Sequence, residues 1–360
     1  MIIKYLAKSI LSLLIILAFA MNASAKEKVY KWKLAMSWPK NLTPLASPPQ
    51  RFAKLVKEMS NGRLIIDVHG KNKHKAALGV FDMVKLGQYQ MAHSGSYYWK
   101  GKDINTLFFT SMPFGMTMDE QTAWFYYGGG LELMQEVYAK HKMYSFPGGN
   151  TGVQMGGWFR KEIKTVDDLK GLKMRIPGFA GEIMAKLGVK SINIPAGELY
   201  TSLERGTIDA LEWVGPGMDI KMGFYKVAPY YYTGWHEPAS EMQYLVNKKA
   251  FDKLPKDLQT IVTVAMKSTA FDMYAENYDA SANAWEQMKK EFPNIKVKEF
   301  PMPVLRAMKA ANDKLILKLE KKGPLTKRII ESQRNFLKKS REWTKISEYS
   351  YLKNMTALEK

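Results

Sequence analysis

The sequence predicts an α/β protein with two lobes around a cleft, and three observations carry that expectation. The segment from Tyr30 to Val68 reads strand–helix–strand, the grammar of a parallel βαβ unit. A helix–glycine–strand unit occurs at Gly87 and again at Gly206, as if one building block served two sheets. A helical pattern from Pro255 to Phe292 is long enough to cross from one lobe to the other.

In "YKWKLAMSW" the apolar Tyr30, Trp32, Leu34 and Met36 alternate with polar or small residues, the period of a strand. In "PPQRFAKLVKEMSNG", Phe52, Leu55, Val56 and Met59 share one helical face, and Gly62 supplies the stop. "LIIDV" (Leu64 to Val68) is the returning strand. "LGVFDMVKLGQYQMAHSG" gives a helix, Gly87 and a strand ending near His93 and Ser94. "GELYTSLERGTIDALEWVG" gives a helix, Gly206 and a strand ending at Glu212 and Trp213. With the two glycines aligned, Val80 matches Leu199, Phe81 matches Tyr200, Val84 matches Leu203 and Ser94 matches Trp213. The identities are few, so this is one supersecondary unit used twice rather than a repeat array. Open α/β sheets bind ligands at the carboxyl ends of their strands. "HSGSYY" and "EWVGP" are therefore expected on opposite walls of one cleft.

"TGVQMGGWFR" and "LKMRIPG" are two more strand pieces, joined through "TVDDLKG", where Thr165 and Asp168 have cap spacing. "PNIKVKEF" is a short strand. The tail is a charged amphipathic helix carrying Ile329, Phe336, Trp343 and Ile346, a stripe for a second copy where it is not packed on its own chain. The expected division is a signal peptide at 1–25, a first lobe at 26–150 plus about 245–300, a second lobe at 151–244, and a helical C-terminal region at 301–360.

The leader has Lys4 and Lys8, the apolar core "ILSLLIILAFAM" and a small-residue "ASA" ending at Ala25. Its apolar run is shorter than the roughly 20 residues of a membrane span. Cleavage after Ala25 and export to the periplasm are expected. The chain has 360 residues and no cysteine, so an exported product rests on core packing without disulfides. Five scattered histidines leave no zinc or iron–sulfur spacing. The formal charge is +20; the leader holds two lysines and no acid, so the remainder carries two fewer, +18. The lysines are spread and no arginine-rich block or nucleic-acid module is present, which argues against a nucleic-acid partner and for a solvated basic surface.

Arg175, in "KMRIPG", points a planar guanidinium at a loop rim, where it either clamps a carboxylate or is an ordinary surface arginine. Gln154 and Glu212 are hard oxygen donors on different strands, and Glu237 and Glu241 in "GWHEPASE" form a second acidic group. Such oxygens suit sodium, calcium or magnesium, or else pair with lysines. Trp213 is either a core anchor or the wall of a pocket, as are Trp99, Trp158 and Trp235. "YYGGGLELM" reads as a turn or, less specifically, an anion cradle, since it lacks P-loop and dinucleotide spacing. His93 and His236 have no nucleophile motif beside them and read as packed or hydrogen-bonded residues. No nucleophile elbow or metalloprotease helix is present, which weighs against an exported metal-dependent enzyme.

Together "LKGLKMRIPG" and "GELYTSLERGTIDALEWVGPGMD" resemble the hallmark region of DctP-type solute-binding subunits of TRAP (tripartite ATP-independent periplasmic) transporters. "SMPFGMTMDEQTAWFYYGGGLEL", "GFYKVAPYYYTGWHEP" and "WTKISEYSYL" are similar to the branch that binds 2-oxo acids with a cation. The resemblance implies a type II periplasmic binding protein-like fold, no enzymatic activity, a small carboxylate ligand and TRAP permease subunits as partners. It implies that Arg175 holds the ligand carboxylate. Gln154, Glu212, Trp213 through its carbonyl, and Glu237 would hold a cation, sodium favoured and calcium possible, that bridges the ligand. Gln154 and Trp213 would also touch the ligand, with Ser94 and Tyr98 meeting it from the other wall. The branch further implies a homodimer through the C-terminal helix. A metal-free site for lactate, a dicarboxylate or a sugar acid is the alternative on the same scaffold.

Overall fold

Two sheets, each with parallel strands that carry their carboxyl ends toward one region, organise the chain. The computed structural model describes residues 27–359, and the expected leader lies outside them. Strands are numbered in chain order. The first sheet holds β1 (Tyr30–Met36), β2 (Leu64–His69), β3 (Met91–Gly95), β4 (Met143–Asn150) and β10 (Glu241–Asn247), in the order β2-β1-β3-β10-β4. β2, β1 and β3 are parallel, while β10 runs antiparallel to both its neighbours. The second sheet holds β5 (Gly157–Phe159), β6 (Lys173–Arg175), β7 (Lys190–Ile192), β8 (Ala210–Leu211), β9 (Tyr230–Tyr232) and β11 (Lys296–Lys298), in the order β11-β9-β5-β8-β6-β7.

The opening βαβ unit forms as its pattern requires. Helix α1 (Ser47–Met59) starts with prolines in its first turn and buries Phe52 and Val56, each burial stabilising by about 2 kcal/mol. Met59, expected on the same face, is exposed at the last position of the helix. The repeated unit is also present. Helix α2 (Val80–Lys85) precedes Gly87 and β3, and helix α4 (Leu199–Glu204) precedes Gly206 and β8. Val80, Val84, Leu199 and Leu203 are all fully buried, so the matched positions carry the same packing. Between them in the chain lies helix α3 (Met118–Tyr127), closed at its start by a Thr117–Glu120 capping box.

Helix α5 (Pro216–Met222) follows the second unit. Helix α6 (Lys256–Glu291) spans 36 residues, or roughly 54 Å, and packs on α1 and β4 at one end of its path and on α5 at the other.

Two boundaries differ from expectation. β10 joins the first sheet already at Glu241, four residues before the expected return. β11, expected within the first lobe as part of 245–300, pairs in parallel with β9 of the second sheet. The reason is that α6 delivers the chain to the second sheet before β11 begins. The tail also divides. Helix α7 (Pro324–Ile346) buries Ile329 and half-buries Phe336, and its Gln333 Nε2 donates to Phe108 O at 2.7 Å. Only beyond that is the stripe free: Trp343 is 65% exposed, and helix α8 (Glu348–Leu358) buries no residue. Among the described residues no helix is long and apolar enough to cross a membrane.

Candidate functional site

Arg175 ends β6, and Glu212 follows β8, the neighbouring parallel strand. The ladder continues past β8, with Glu212 N donating to Arg175 O at 3.1 Å. Two charged side chains are therefore set side by side at adjacent carboxyl ends. Both are buried, at 2% and 1% exposure. Arg175 Nη1 donates to Glu212 O at 2.7 Å and also to Glu212 Oε1. Arg175 Nε lies 3.4 Å from Ile194 O, leaving Nη2 without a protein acceptor among the described residues. Trp213 covers the guanidinium, with Cζ 5.1 Å from its ring centre. The strand "TIDALEWV" is shorter than expected, only Ala210–Leu211, so Glu212 and Trp213 stand just past its end rather than within it.

Two connections between the sheets, 151–156 and 233–240, run beside this pair. Gln154 lies on the first and Glu237 on the second, and Gln154 N donates to Glu237 O at 2.9 Å. Gly234 permits this approach, because a Cβ there would lie 2.0 Å from Gln154 O. Gly157, at φ +115°, does the same on the other side: a Cβ would lie 2.5 Å from Leu211 O and 3.1 Å from the Glu212 backbone. Gln154 Nε2 donates to Thr151 Oγ1 at 2.9 Å, which turns Oε1 away as a buried acceptor with no partner. Glu237 Oε2 is likewise buried and unpartnered. Ligating atoms of Glu212, His236 and Glu237 lie within 4.8 Å of one another. His236 Nε2 is 3.2 Å from Glu212 Oε2.

Burial, and next the Glu212 charge, push the Glu237 carboxyl up to about 7. The buried carboxylates of Glu212 and Glu237, the latter with an orphaned oxygen, and the orphaned amide oxygen of Gln154 form a donor set that a hard cation satisfies, beside the Arg175 guanidinium. The residues present therefore fit a cation of the sodium or calcium kind.

The first sheet supplies the opposite wall. Tyr97 and Tyr98, just past β3, form an edge-to-face pair with centroids 4.6 Å apart. Burial raises both phenols above their ordinary value, and Arg175, Glu212 and Glu237 are close enough to act on them electrostatically. Ser94 Oγ meets Ser37 Oγ at 2.5 Å, at the end of β1. Glu241 stands apart, because its Oε1 accepts from Gly148 N at 3.0 Å and Gly149 N at 2.9 Å and holds β4 to β10. His93 Nε2 donates to Gly148 O at 2.8 Å, as a packed residue. Trp99 and Trp158 are core, whereas Trp235 adjoins His236 with ring centres 5.4 Å apart. "YYGGG" is a packed turn: Gly128 faces Phe336 and Gly130 faces Trp124.

Sequence reasoning missed three participants. His236 sits between the carboxylates, and Tyr97 is the more deeply buried of the tyrosine pair. Asp219 holds the strap after Trp213. Its Oδ1 accepts from Val214 N at 3.2 Å and Gly215 N at 3.1 Å, and its Oδ2 from Trp158 Nε1 and Tyr231 Oη, each at 2.9 Å. The available signal was a lone acid three residues after Pro216, at the start of a helix.

Residues 34–322 match the family model DctP, bacterial extracellular solute-binding protein, family 7. The chain is 40% identical over 322 residues to the monocarboxylate 2-oxoacid-binding periplasmic protein of Nostoc sp., covering 89% of this chain and 88% of the relative. A TRAP periplasmic solute-binding protein from Colwellia psychrerythraea, crystallised with bound calcium and pyruvate, superposes with a TM-score of 0.90 at 59% identity, over 91% of this chain and 100% of that one. One from Pseudoalteromonas atlantica, with bound sodium and pyruvate, superposes with a TM-score of 0.90 at 58% identity, over 91% of this chain and 99% of that one.

Proposed function

We propose, on the premise that this chain belongs to the DctP family of bacterial extracellular solute-binding proteins, that it captures a small 2-oxo monocarboxylate such as pyruvate together with a cation in the periplasm and delivers it to a TRAP permease. The family consists of receptors, so no bond is made or broken. The observation that carries the reading is the meeting of buried Arg175 with the unpartnered oxygens of Gln154 and Glu237 beside Glu212. In this reading Arg175 holds the ligand carboxylate with its planar fork. Gln154, Glu212, Glu237 and the Trp213 carbonyl hold the cation. The Trp213 indole excludes water, and Tyr98 with Tyr97 closes from the first sheet. A ligand of so few atoms gains affinity from charge neutralisation on two sides and from burial.

Export with cleavage after Ala25 belongs to the same proposal. So does a homodimer through the C-terminal helix, supported by the exposed apolar residues of α8 and the end of α7.

Isothermal titration of the purified protein with pyruvate, with and without sodium or calcium, tests the reading. Binding that strengthens at least ~10-fold with a cation is expected, because the paired carboxylates otherwise repel the acid. Glu212→Gln is expected to abolish that cation dependence. Unchanged dependence in the variant would overturn the cation-bridged site, and no binding of any 2-oxo acid would overturn the whole reading.

A further inference from the structure

The end of the first sheet opposite the site carries a feature that ligand capture does not use. Six lysines, Lys28, Lys31, Lys85, Lys142, Lys249 and Lys253, line one groove of about 870 Å³. All six are exposed, and none is in an ion pair among the described residues. No acid lines the groove. The nearest acids in sequence are already engaged, Glu27 by Arg63 and Asp252 by Lys248.

Strand direction fixes where this groove lies. β1 and β3 begin here and end at the cleft, while β10 ends here at Asn247, opposite Met143 of β4. The five residues of β3 alone separate the two regions by roughly 17 Å. The lysines come from four separate stretches of chain, so the topology, not a sequence run, gathers them. That is why composition suggested only a diffusely basic surface.

The chemistry favours a broad anionic surface over a compact anion. No arginine fork is present for bidentate recognition, and six point charges on flexible stems suit a diffuse field. At the groove's edge the loop tip holds Leu86, 70% exposed beside Gly87, an apolar side chain amid the lysines.

We propose that this lysine-ringed end docks the protein on an anionic phospholipid surface, with Leu86 entering the headgroup layer and the cleft open to solvent for loading, a resting orientation the protein leaves before it delivers its ligand. The proposal is independent of which acid the cleft binds.

Flotation with vesicles tests it. The purified protein should bind phosphatidylcholine vesicles containing about one third phosphatidylglycerol, and not pure phosphatidylcholine, and binding should fall steeply with salt. The triple variant Lys31→Glu, Lys85→Glu, Lys249→Glu should lose at least ~10-fold in vesicle affinity. A control with the same charge change at exposed sites elsewhere, Lys186→Glu, Lys221→Glu, Lys338→Glu, should lose less than ~3-fold. Both variants should keep the thermal midpoint and pyruvate titration of the parent, which separates this test from the ligand reading. Equal losses in the two variants would mean that net charge alone acts, and would overturn the site. Absence of binding to the anionic vesicles, or equal competition by soluble polyphosphate showing that any polyanion suffices, would overturn it as well.

Discussion

Glu237 sets the most sensitive chemistry of the candidate site. Its carboxyl is pushed up to about 7 by burial and by Glu212. On the proposed reading a cation would replace the proton there, so cation uptake would release one near neutral pH. The sign follows: as pH falls below 7 the proton wins, and cation affinity drops by up to ~10-fold per unit. With Glu237 protonated, the remaining carboxylate, Arg175 and a monoanionic acid are balanced by a monovalent ion; with it ionised, a divalent ion is balanced. The expected result is a steeper loss for calcium than for sodium between pH 8 and 5.5, read by tryptophan fluorescence. Glu237→Gln should flatten both profiles, and a profile left unchanged would remove Glu237 from the ligand set. Asp219 is a positioning residue. Its partners Trp158 Nε1, Val214 N and Gly215 N can only donate, so Asp219→Asn turns an amide N–H toward one of them. A loss of about 1–3 kcal/mol in stability is expected from denaturant unfolding, with weaker ligand binding through the displaced Trp213.

At the scale of elements, the tail is two structures in one pattern. One face of α7, as far as Thr344, belongs to its own chain. Arg341 clamps the buried Glu120 through Nε at 2.9 Å and Nη2 at 2.8 Å, and Trp124 Nε1 donates to Ser332 Oγ at 3.0 Å. Past Ser347, α8 is an 11-residue helix with no buried side chain, which cannot sustain itself in water by propensity alone. Removal of residues 348–360 is expected to leave pyruvate affinity and the unfolding midpoint nearly unchanged while shifting sedimentation from dimer to monomer. A truncated protein that remains dimeric would move the interface elsewhere. The apolar spacing in this region could not reveal the division, because Ile329 and Trp343 sit on one continuous stripe and only tertiary neighbours tell them apart.

At the scale of the molecule, what was readable was local. Val80, Val84, Leu199 and Leu203 showed the twice-used unit because helix packing leaves a period in the chain. Arg175 and Glu212 were conspicuous because charge at a strand end is unusual. What stayed hidden depends on which segments run side by side. Nothing in Gln154 or Glu237 says that their backbones meet, and the glycine at 234 that permits it is one of 26 in the chain. The placement of β11 and the gathering of six lysines at one edge are of the same kind.

The meeting of the two connections has a mechanical consequence. When two bodies turn about the strands that join them, atoms near the axis travel least and those at the rim travel furthest. Gln154 and Glu237 ride on the connections between the sheets, whereas Tyr98 lies beyond β3 in the body of the first sheet. On the proposed reading, the cation seat would be a pivot bearing that keeps its shape whether the jaws are apart or shut, and the acid seat would exist only when they shut. Cation should load first and saturably with no acid present, leaving the small-angle scattering radius unchanged, and acid should then shrink it. A cation that binds only together with acid would show that the seat moves with the jaws.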